Sequence, residues 1–238
     1  MSNILSPAKD PMGAAIKDYF SSGKAGKLKV LSSMFDEDEI PVNYLFRSLD
    51  DMSDIEQKAI SMARGRILDV GAGAGCHSIL LDNVLAIDIS PLSCETMQDR
   101  GIKEVQCINL FDERLAGPFD TILMLMNGTG IVGKLKNMPV FLNRVRHLLN
   151  PDGQILVDSS DLKYLYENED GSYDIDPLGA YYGEIDYQMI YKKVKGDSFD
   201  WLYVDFETLK MITESNGFIC KKIMDGDHYD YLAQIKLK

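Results

Sequence analysis

Between residues 65 and 158, short apolar runs alternate with stretches whose apolar residues recur at helical spacing. The apolar runs are RILDV, VLAID, EVQCI, FDTILMLM and QILVDS, and the helical stretches are CHSILLDN, PLSCETMQDR and PVFLNRVRHLL. The runs are almost continuously apolar, which is typical of strands in a parallel sheet that is covered on both faces. Strands that alternate with helices in this way predict right-handed βαβ units and a doubly wound α/β fold.

The preceding residues, 1–64, have a mixed pattern that is interpreted as an N-terminal helical segment. AAIKDYF predicts a short helix, and PVNYLFRSL predicts another with Pro41 in its first turn, where the missing N–H costs nothing. LKVLSSMF, which lies between them, is interpreted as extended. Ser53 followed by Glu56 has the spacing of a capping box, so a further helix is predicted to begin there with DIEQKAISMA.

The residues after 160 predict a β-hairpin and then a closing unit. Alternate positions of YYGEIDYQMIYKKV are apolar, and this period of two predicts a half-buried strand. FDWLYV follows the turn-like KGDS and predicts the second strand of the hairpin. FETLKMITESNGF then predicts a helix that ends at Gly217, and FICKKIM and YDYLAQIKL predict two closing strands.

These elements together predict one domain over residues 1–238, built on a Rossmann-like sheet of seven strands. Residues 65–160 would form a cofactor-binding core. Residues 161–205 would be an inserted β-hairpin after the fifth strand, placed as a substrate lid, and residues 206–238 would supply the closing helix and strands.

Composition narrows the possible functions. The 238 residues carry a net charge of −12 and the pI is about 4.7. Nucleic-acid binding depends on Lys and Arg that neutralise phosphates, so DNA, RNA and anionic membranes are poor partners. The four cysteines form no CxxC pair and no zinc-ligand spacing, so no metal site is predicted. With no signal-peptide pattern and no apolar run near about 18 residues, we expect a soluble, cytoplasmic protein.

The sharpest motif is ILDVGAGAG at residues 67–75, where an apolar strand runs into Gly71, Gly73 and Gly75. Glycines allow a tight turn and let a ligand approach the backbone. Dinucleotide sites instead have the spacing GxGxxG and hold a pyrophosphate. Asp69 precedes the first glycine by two residues, and its carboxylate would repel a pyrophosphate but suit a ligand that carries an amino group. S-adenosylmethionine has an amino group and a sulfonium, so the charges favour it over NAD.

The next predicted strand supports a nucleotide ligand. VLAIDIS places Asp88 at the tip of this strand, nineteen residues after Asp69. An acidic residue at the tip of the second strand meets the ribose hydroxyls of a nucleotide that is held at the first strand. Many strands end in Asp, and it is the combination with the glycine loop that predicts a nucleotide site.

On these residues the chain resembles the class I S-adenosylmethionine-dependent methyltransferases. Residues 67–75 are similar to their first motif, and Asp88 is similar to their acidic ribose ligand. FDTILMLMNGTGI, from 119 to 131, is similar to their fourth motif, which passes beside the methionine part of the cofactor, and residues 148–160 to the turn and strand that follow. The flanking residues are similar to a bacterial subgroup of these enzymes, which implies no particular substrate. One departure is the short helix predicted after the glycine loop.

The resemblance implies S-adenosyl-L-methionine as the cofactor and a set of residues around it. The cofactor loop, the ribose ligand and the adenine neighbours would be Asp69, Gly71, Ala72, Gly73, Gly75, Asp88, Ile89, Asn109 and Leu110. Met126 and Asn127 would flank the methyl-donor end. The family often has an upstream basic residue that binds the cofactor carboxylate, and Arg47 fits this role, with Tyr44 on the same helix face; a surface arginine is the alternative.

The sequence does not fix a catalytic residue, and His228 and Asn127 are the candidates. Methyl transfer from a sulfonium gains much of its rate from alignment and often needs no strong base. His77 is expected at the start of the helix behind the glycine loop, where its pKa would fall. The tyrosines and carboxylates after residue 160 would either bind a cation or simply pack the hairpin.

The resulting prediction is a methyltransferase that acts on a small molecule, with no nucleic-acid or membrane partner and an open oligomeric state. The alternatives are a catalytically silent protein that binds S-adenosylmethionine and a NAD-linked oxidoreductase. The GxGxG spacing and Asp69 oppose the oxidoreductase.

Overall fold

The computed structural model describes residues 4–176 and 178–238. Residues 1–3 of the predicted N-terminal segment and residue 177 of the predicted insert lie outside the described part. None of the helices in the described ranges combines the length and the apolar character that crossing a membrane requires.

The described residues form twelve strands and five α-helices. The strands are β1 (Leu28–Leu31), β2 (Asp38–Ile40), β3 (Ile67–Val70), β4 (Val84–Asp88), β5 (Glu104–Cys107), β6 (Phe119–Met124), β7 (Leu149–Ser160), β8 (Glu184–Tyr191), β9 (Val194–Lys195), β10 (Phe199–Leu202), β11 (Phe218–Asp225) and β12 (Asp230–Leu237). The α-helices are α1 (Pro11–Ser22), α2 (Asp54–Met62), α3 (Pro91–Asp99), α4 (Met138–Arg146) and α5 (Phe206–Ser215).

Seven of these strands form one sheet in the order β11-β12-β7-β6-β3-β4-β5. Strands β3 to β7 are parallel, and β12 is antiparallel to both β7 and β11. The predicted Rossmann-like sheet of seven strands is therefore confirmed. Because β3 lies between β4 and β6, the strand order reverses there. Ligands of such sheets bind outside the carboxyl ends of the strands at this switch point.

Both faces of the sheet are covered, which explains why its central strands are almost continuously apolar. One face packs against α2, with contacts among Ile55, Ala59, Ile67, Leu123 and Leu156. The opposite face packs against α4 and α5, in a core that includes Leu68, Ile122, Phe141, Ile155 and Leu209. Helix α2 begins with the predicted capping box, in which the Glu56 N–H donates to the Ser53 hydroxyl and the Glu56 carboxylate accepts from the Ser53 N–H.

Two predicted helices are wrong. CHSILLDN forms only the 3-10 turn Ser78–Leu80, because too few residues remain before β4 begins at Val84. PVNYLFRSL forms the 3-10 helix Val42–Phe46, and the backbone turns extended at Arg47, with ψ of 152°. At this point the Arg47 guanidinium forms an ion pair with the buried Glu56 carboxylate of α2.

The remaining strands form a second sheet in the order β10-β8-β1-β2, with β9 also paired to β8. Val30 of β1 lies opposite Met189 of β8, and Leu28 lies opposite Tyr191. The prediction of a purely helical N-terminal segment is therefore incomplete. Its extended run gains backbone hydrogen-bond partners from the nearby β2 on one side and from a strand more than 150 residues away on the other.

The second sheet is fixed next to the loop that follows β6. The indole of Trp201 on β10 occupies the space where a side chain at position 130 would extend. The hydroxyl of Thr129 donates to the Leu202 carbonyl at 2.9 Å and contacts the Ser159 hydroxyl at 2.7 Å. Gly130 is therefore the point where the Trp201 side chain of the second sheet packs against the loop after β6.

Replacing Gly130 with alanine should destabilise the protein, because the new methyl group would overlap the rigid Trp201 indole. Overpacking of this kind costs about 1–3 kcal/mol in the free energy of unfolding. Urea denaturation followed by far-UV circular dichroism measures it. Gly26→Ala is the matched control, since its methyl group would lie 3.5 Å from the Tyr191 ring in ordinary contact. Equal stability of the two variants would contradict the close packing of Trp201 against Gly130.

Candidate active site

The loop after β3 has a left-handed backbone at Gly71, Gly73 and Gly75, with φ of 70°, 57° and 77°. Residues with a side chain rarely adopt this conformation. No atom of another residue lies within 4 Å of the position of a Cβ on Gly73, so this side of the loop faces open space. At Gly75 a Cβ would collide with Ile102. The loop therefore needs glycine at Gly75 for packing and leaves room for a ligand at Gly73.

Asp88 lies beside this loop at the end of β4. Its Oδ2 accepts the Gly73 N–H at 2.9 Å, and its Oδ1 accepts the Ser90 N–H at 2.8 Å. Burial raises the pKa of Asp88 to about 6, although both N–H groups favour the ionised form. The structure thus brings together the glycine loop and the acidic strand tip that the sequence placed in one site.

The Asp69 side chain contacts the residues that follow the glycine loop. It is buried, and its Oδ2 accepts the Ser78 hydroxyl at 2.6 Å. Burial raises the pKa of this carboxyl, and His77 and the Ser78 hydroxyl oppose the increase. Asp69 therefore connects β3 to the 3-10 turn that follows the loop.

The adenine neighbours predicted at Asn109 and Leu110 follow β5, and two other predicted cofactor residues, Ile89 and Ala72, follow β4 and lie in the glycine loop. Asn109 forms a local turn, in which its Oδ1 accepts the Phe111 N–H at 2.9 Å, and Leu110 is buried. The Ile89 carbonyl accepts the Leu5 N–H at 2.9 Å, and Ala72 is buried in the loop. These groups lie at the same carboxyl edge of the sheet as Asp88.

The loop after β6 is strained. Met126 and Asn127 have left-handed backbones, with φ of 67° and 56°, and neither is glycine. Such residues persist only where their surroundings hold them, and they are concentrated at functional sites. Two contacts hold this turn: the Ser160 hydroxyl donates to Asn127 Oδ1 at 2.8 Å, and the Gly128 N–H donates to Asp158 Oδ1 at 3.0 Å.

Arg47 is buried and not on the surface. Its guanidinium forms an ion pair with Glu56, donates to the Tyr44 carbonyl at 2.6 Å, and stacks 3.9 Å from the centre of the Tyr44 ring. Its Nε is buried without a hydrogen-bond partner among the described residues. Arg47 is therefore held in position with one donor still available.

Glu56 also contacts His77, and sequence analysis missed this cluster. The two side-chain atoms, His77 Nε2 and Glu56 Oε1, lie 2.7 Å apart and both residues are buried. The predicted fall in the pKa of His77 is wrong. Burial alone would lower it, but contacts with Cys76 and Glu56 raise it to about 10. Burial also opposes the ionised Glu56, yet His77 and Arg47 hold its pKa at about 2.

The N-terminal segment covers the glycine loop. Ile16 of α1 and Leu45 pack with Ala74 of the loop and with Met126. A cavity of about 310 Å³ lies at β11 and another of about 580 Å³ lies beside Tyr19, and neither is lined by the loop. The N-terminal segment thus covers Ala74 of the loop, whereas Gly71 is exposed and Gly73 is half-buried.

The two catalytic candidates occupy different places. Asn127 follows β6 beside the glycine-loop strand, whereas His228 is exposed at the connection between β11 and β12. The backbone N–H of His228 donates to Asp230 Oδ1 at 2.9 Å, and strand β7 lies between β6 and β12. Within residues 4–176 and 178–238, no group of three His, Cys, Asp or Glu side chains has the arrangement of a metal site.

Glu56→Gln should lower the free energy of unfolding by about 3 kcal/mol or more, because it leaves the Arg47 and His77 charges buried without a counter-charge. Chemical denaturation at pH 6 measures this loss. Glu95→Gln is the control, since Glu95 and Lys17 form an exposed ion pair at 2.7 Å that contributes less than about 1 kcal/mol. Similar losses in both variants would contradict the buried network.

The pH dependence of stability should show the same network. Because the pKa of His77 is raised, His77 contributes fully to the free energy of unfolding below pH 6.5, its ordinary pKa. This stabilisation is lost as the pH rises towards 10. The Glu56 contribution is complete above 4.5 and is lost as the pH falls towards 2. His77→Gln should remove the alkaline part of this dependence in denaturation experiments. An unchanged alkaline slope would contradict the assignment.

The chain is similar to the crystal structure of a SAM-dependent methyltransferase from Bacteroides fragilis in complex with S-adenosyl-L-homocysteine. The sequence identity is 56%, the match covers 99% of this chain and 98% of that chain, and the TM-score is 0.94. No family model matches the chain, and no curated protein matches it.

Two further structures share the fold at low identity. The CcbJ methyltransferase from Streptomyces caelestis is 10% identical over 98% of this chain and 99% of that chain, with a TM-score of 0.62. An S-adenosylmethionine-dependent methyltransferase from Clostridium acetobutylicum ATCC 824 is 12% identical over 79% of this chain and 93% of that chain, with a TM-score of 0.58.

Proposed function

Because the chain belongs to the S-adenosylmethionine-dependent methyltransferases, we propose that it transfers the methyl group of S-adenosyl-L-methionine to a small molecule at the site described above. The contact between the Gly73 N–H and the Asp88 carboxylate supports this site best, because it joins the loop and the strand tip at the switch point. Residues 65–160 would hold the cofactor, and the N-terminal segment and residues 161–205 would close over the acceptor.

The side chains and backbone at the switch point fit the parts of this cofactor. The open space over Gly73 gives room for the nucleoside. A carboxylate has about four acceptor positions, so Asp88 retains capacity for two ribose hydroxyls while it binds Gly73 and Ser90. The available Nε donor of Arg47 suits the carboxylate of the cofactor. We assign the adenine to the neighbourhood of Ile89, Asn109 and Leu110.

The bound cofactor supplies a methyl group on a positively charged sulfur, which an acceptor nucleophile displaces in line. The residues of the chain align the two reactants, and alignment can provide much of the rate. Met126 and Asn127 would lie beside the methyl-donor end, and the Ser160 hydroxyl fixes the orientation of the Asn127 amide. The Ser160 contact explains how a short polar side chain in a loop can keep one position.

Three properties support a small acceptor in the cytoplasm. The N-terminal segment packs on Ala74 and so covers part of the glycine loop, and a net charge of −12 opposes the approach of nucleic acid. All four cysteines are free thiols, which fits a reducing compartment.

Calorimetric titration with S-adenosylmethionine, S-adenosylhomocysteine and NAD tests the cofactor site. We expect binding of the first two and none of NAD. Asp88→Ala removes hydrogen bonds to a charged group, so binding should weaken roughly 10- to 100-fold. Gly73→Val should abolish it, because valine would fill the open space in a left-handed backbone.

The matched control is Asp82→Ala, which removes an exposed carboxylate just before the start of β4. This variant should bind both nucleosides like the wild type. Absence of binding in the wild type, or equal binding by Asp88→Ala, would overturn the proposed site. Binding without methyl transfer to any acceptor would instead indicate a catalytically silent protein.

A further inference from the structure

Asp158, near the end of β7, lies at the meeting point of segments that are far apart in the sequence. Burial is the main cause that raises the pKa of Tyr44, and the negative charge of Asp158 contributes to the increase. Burial is also the main cause that raises the pKa of Tyr203. Tyr187 is the next cause, and the charges of Tyr164 and Asp158 add to the increase. Tyr44 of the N-terminal segment and Tyr203 after β10 therefore lie within electrostatic range of this carboxyl group. The residue after Tyr203, Val204, donates its N–H to the Ser159 hydroxyl at 2.9 Å, which fixes this segment beside the end of β7.

Asp158 is buried, yet no cation pairs with it among the described residues. Its Oδ1 accepts the Gly128 N–H at 3.0 Å, and the Asn127 N–H is its other close donor. Both donors belong to the strained turn that we assign to the methyl-donor end. Burial raises the pKa of Asp158 to about 6; the nearby negative charge of Glu56 adds to the increase, and the positive charge of His77 opposes it in part without forming an ion pair. A buried carboxylate without a cation is costly, and a cationic ligand would remove that cost.

The surrounding rings suit a cation as well. The Tyr44 ring already binds one cation in the fold, because the Arg47 guanidinium stacks 3.9 Å from its centre. The hydroxyls of Tyr187 and Tyr203 contact each other at 3.0 Å, which fixes the Tyr203 ring from the side of the second sheet. Aromatic faces attract ammonium groups through their quadrupole. The buried Asp158 carboxylate, with the Tyr203 ring in the neighbouring segment, therefore has the chemistry that binds an amine.

We propose that the methyl acceptor is an amine, and that Asp158 both holds its ammonium form and takes the proton that must leave before transfer. This inference rests on the proposed function and deepens it, since it names the acceptor class and a catalytic residue. Sequence analysis did not select Asp158, because an aspartate near the end of an apolar strand has no distinguishing pattern.

The transfer begins when the ammonium gives one proton to the Asp158 carboxylate, which leaves a neutral amine with a free lone pair. That lone pair forms the bond to the methyl carbon, while the electron pair of the carbon–sulfur bond stays on sulfur and gives a neutral thioether. The product leaves as a methylated ammonium, and the Asp158 carboxyl releases its proton to solvent.

A second group of carboxylates, near β11, is a poorer site because its members are already paired. Asp225 and Lys222 form an ion pair at 2.7 Å. Asp205 Oδ2 accepts the hydroxyls of Tyr181 at 2.6 Å and Tyr182 at 3.2 Å. The Asp158 carboxylate lacks such side-chain partners among the described residues, and it adjoins the assigned methyl-donor end.

The test measures amine binding to the protein saturated with S-adenosylhomocysteine, so it does not depend on turnover. The probes are phenethylamine, 2-phenylethanol and phenylacetate, which share one frame and differ in the charge of one group. Ligand-observed NMR titrations should show that the amine binds at least about tenfold more tightly than the other two. Asp158→Asn should remove this preference and leave the affinity for S-adenosylhomocysteine unchanged within about threefold.

Asp225→Asn is the matched control, because it removes the same charge at the same edge of the sheet and should keep the preference. Preference for the alcohol or the acid, or an amine preference that survives Asp158→Asn, would overturn the inference. If Asp225→Asn loses the amine preference and Asp158→Asn keeps it, the amine binds near β11, and this result would also overturn the inference. Failure of the wild type to bind S-adenosylhomocysteine would instead overturn the proposed function.

The pH dependence of amine binding is a second readout. Binding should strengthen as the pH rises from 5 to 8, because the Asp158 carboxyl ionises near pH 6 while the amine stays protonated. The charged groups around it do not change in this range: Glu56 is ionised above about 2, His77 is protonated below about 10, and Arg47 is always charged. Tyr44 and Tyr203 stay neutral, because their pKa values are raised above 10. An identical pH dependence in Asp158→Asn would contradict the assignment.

Discussion

The hydrogen bond from the Gly73 N–H to the Asp88 carboxylate joins the tips of two neighbouring parallel strands, and the arrangement of the site depends on it. It requires a left-handed backbone at Gly73, which only a residue without a side chain adopts at little cost. It also keeps a half-buried carboxylate ionised, because this N–H and that of Ser90 offset part of the cost of burial. One contact therefore shapes the loop and orients the acidic group beside it.

The cluster around Glu56 supports the same junction from the face that α2 covers. Glu56 connects the helix to Arg47 of the cap and to His77, which lies two residues after Gly75. A buried ion pair is often no more stabilising than an apolar replacement, so stability alone does not account for it. The position of Glu56 accounts for it, because Glu56 holds the Arg47 guanidinium, which has one available donor, beside the glycine loop.

Features that depend on neighbours in the sequence could be predicted, and those that depend on distant partners could not. The seven-stranded sheet followed from apolar runs, and the start of α2 followed from Ser53 and Glu56, because these signals are local. The Glu56–His77 contact joins residues 21 positions apart, and together with the neighbouring Cys76 it raises the pKa of His77 against the effect of burial. The pairing of β1 with β8 and the position of Asp158 beside the turn of Asn127 and Gly128 likewise arise only from the folded chain.

The crystal structure of a complex with S-adenosyl-L-homocysteine would test the central claim most directly, which is that the cofactor binds at the junction of Gly73 and Asp88. The account predicts ribose hydroxyls within hydrogen-bond distance of the Asp88 carboxylate, the nucleoside over Gly73, and the sulfur beside Met126 and Asn127. A nucleoside bound elsewhere, or one whose ribose makes no contact with Asp88, would contradict it.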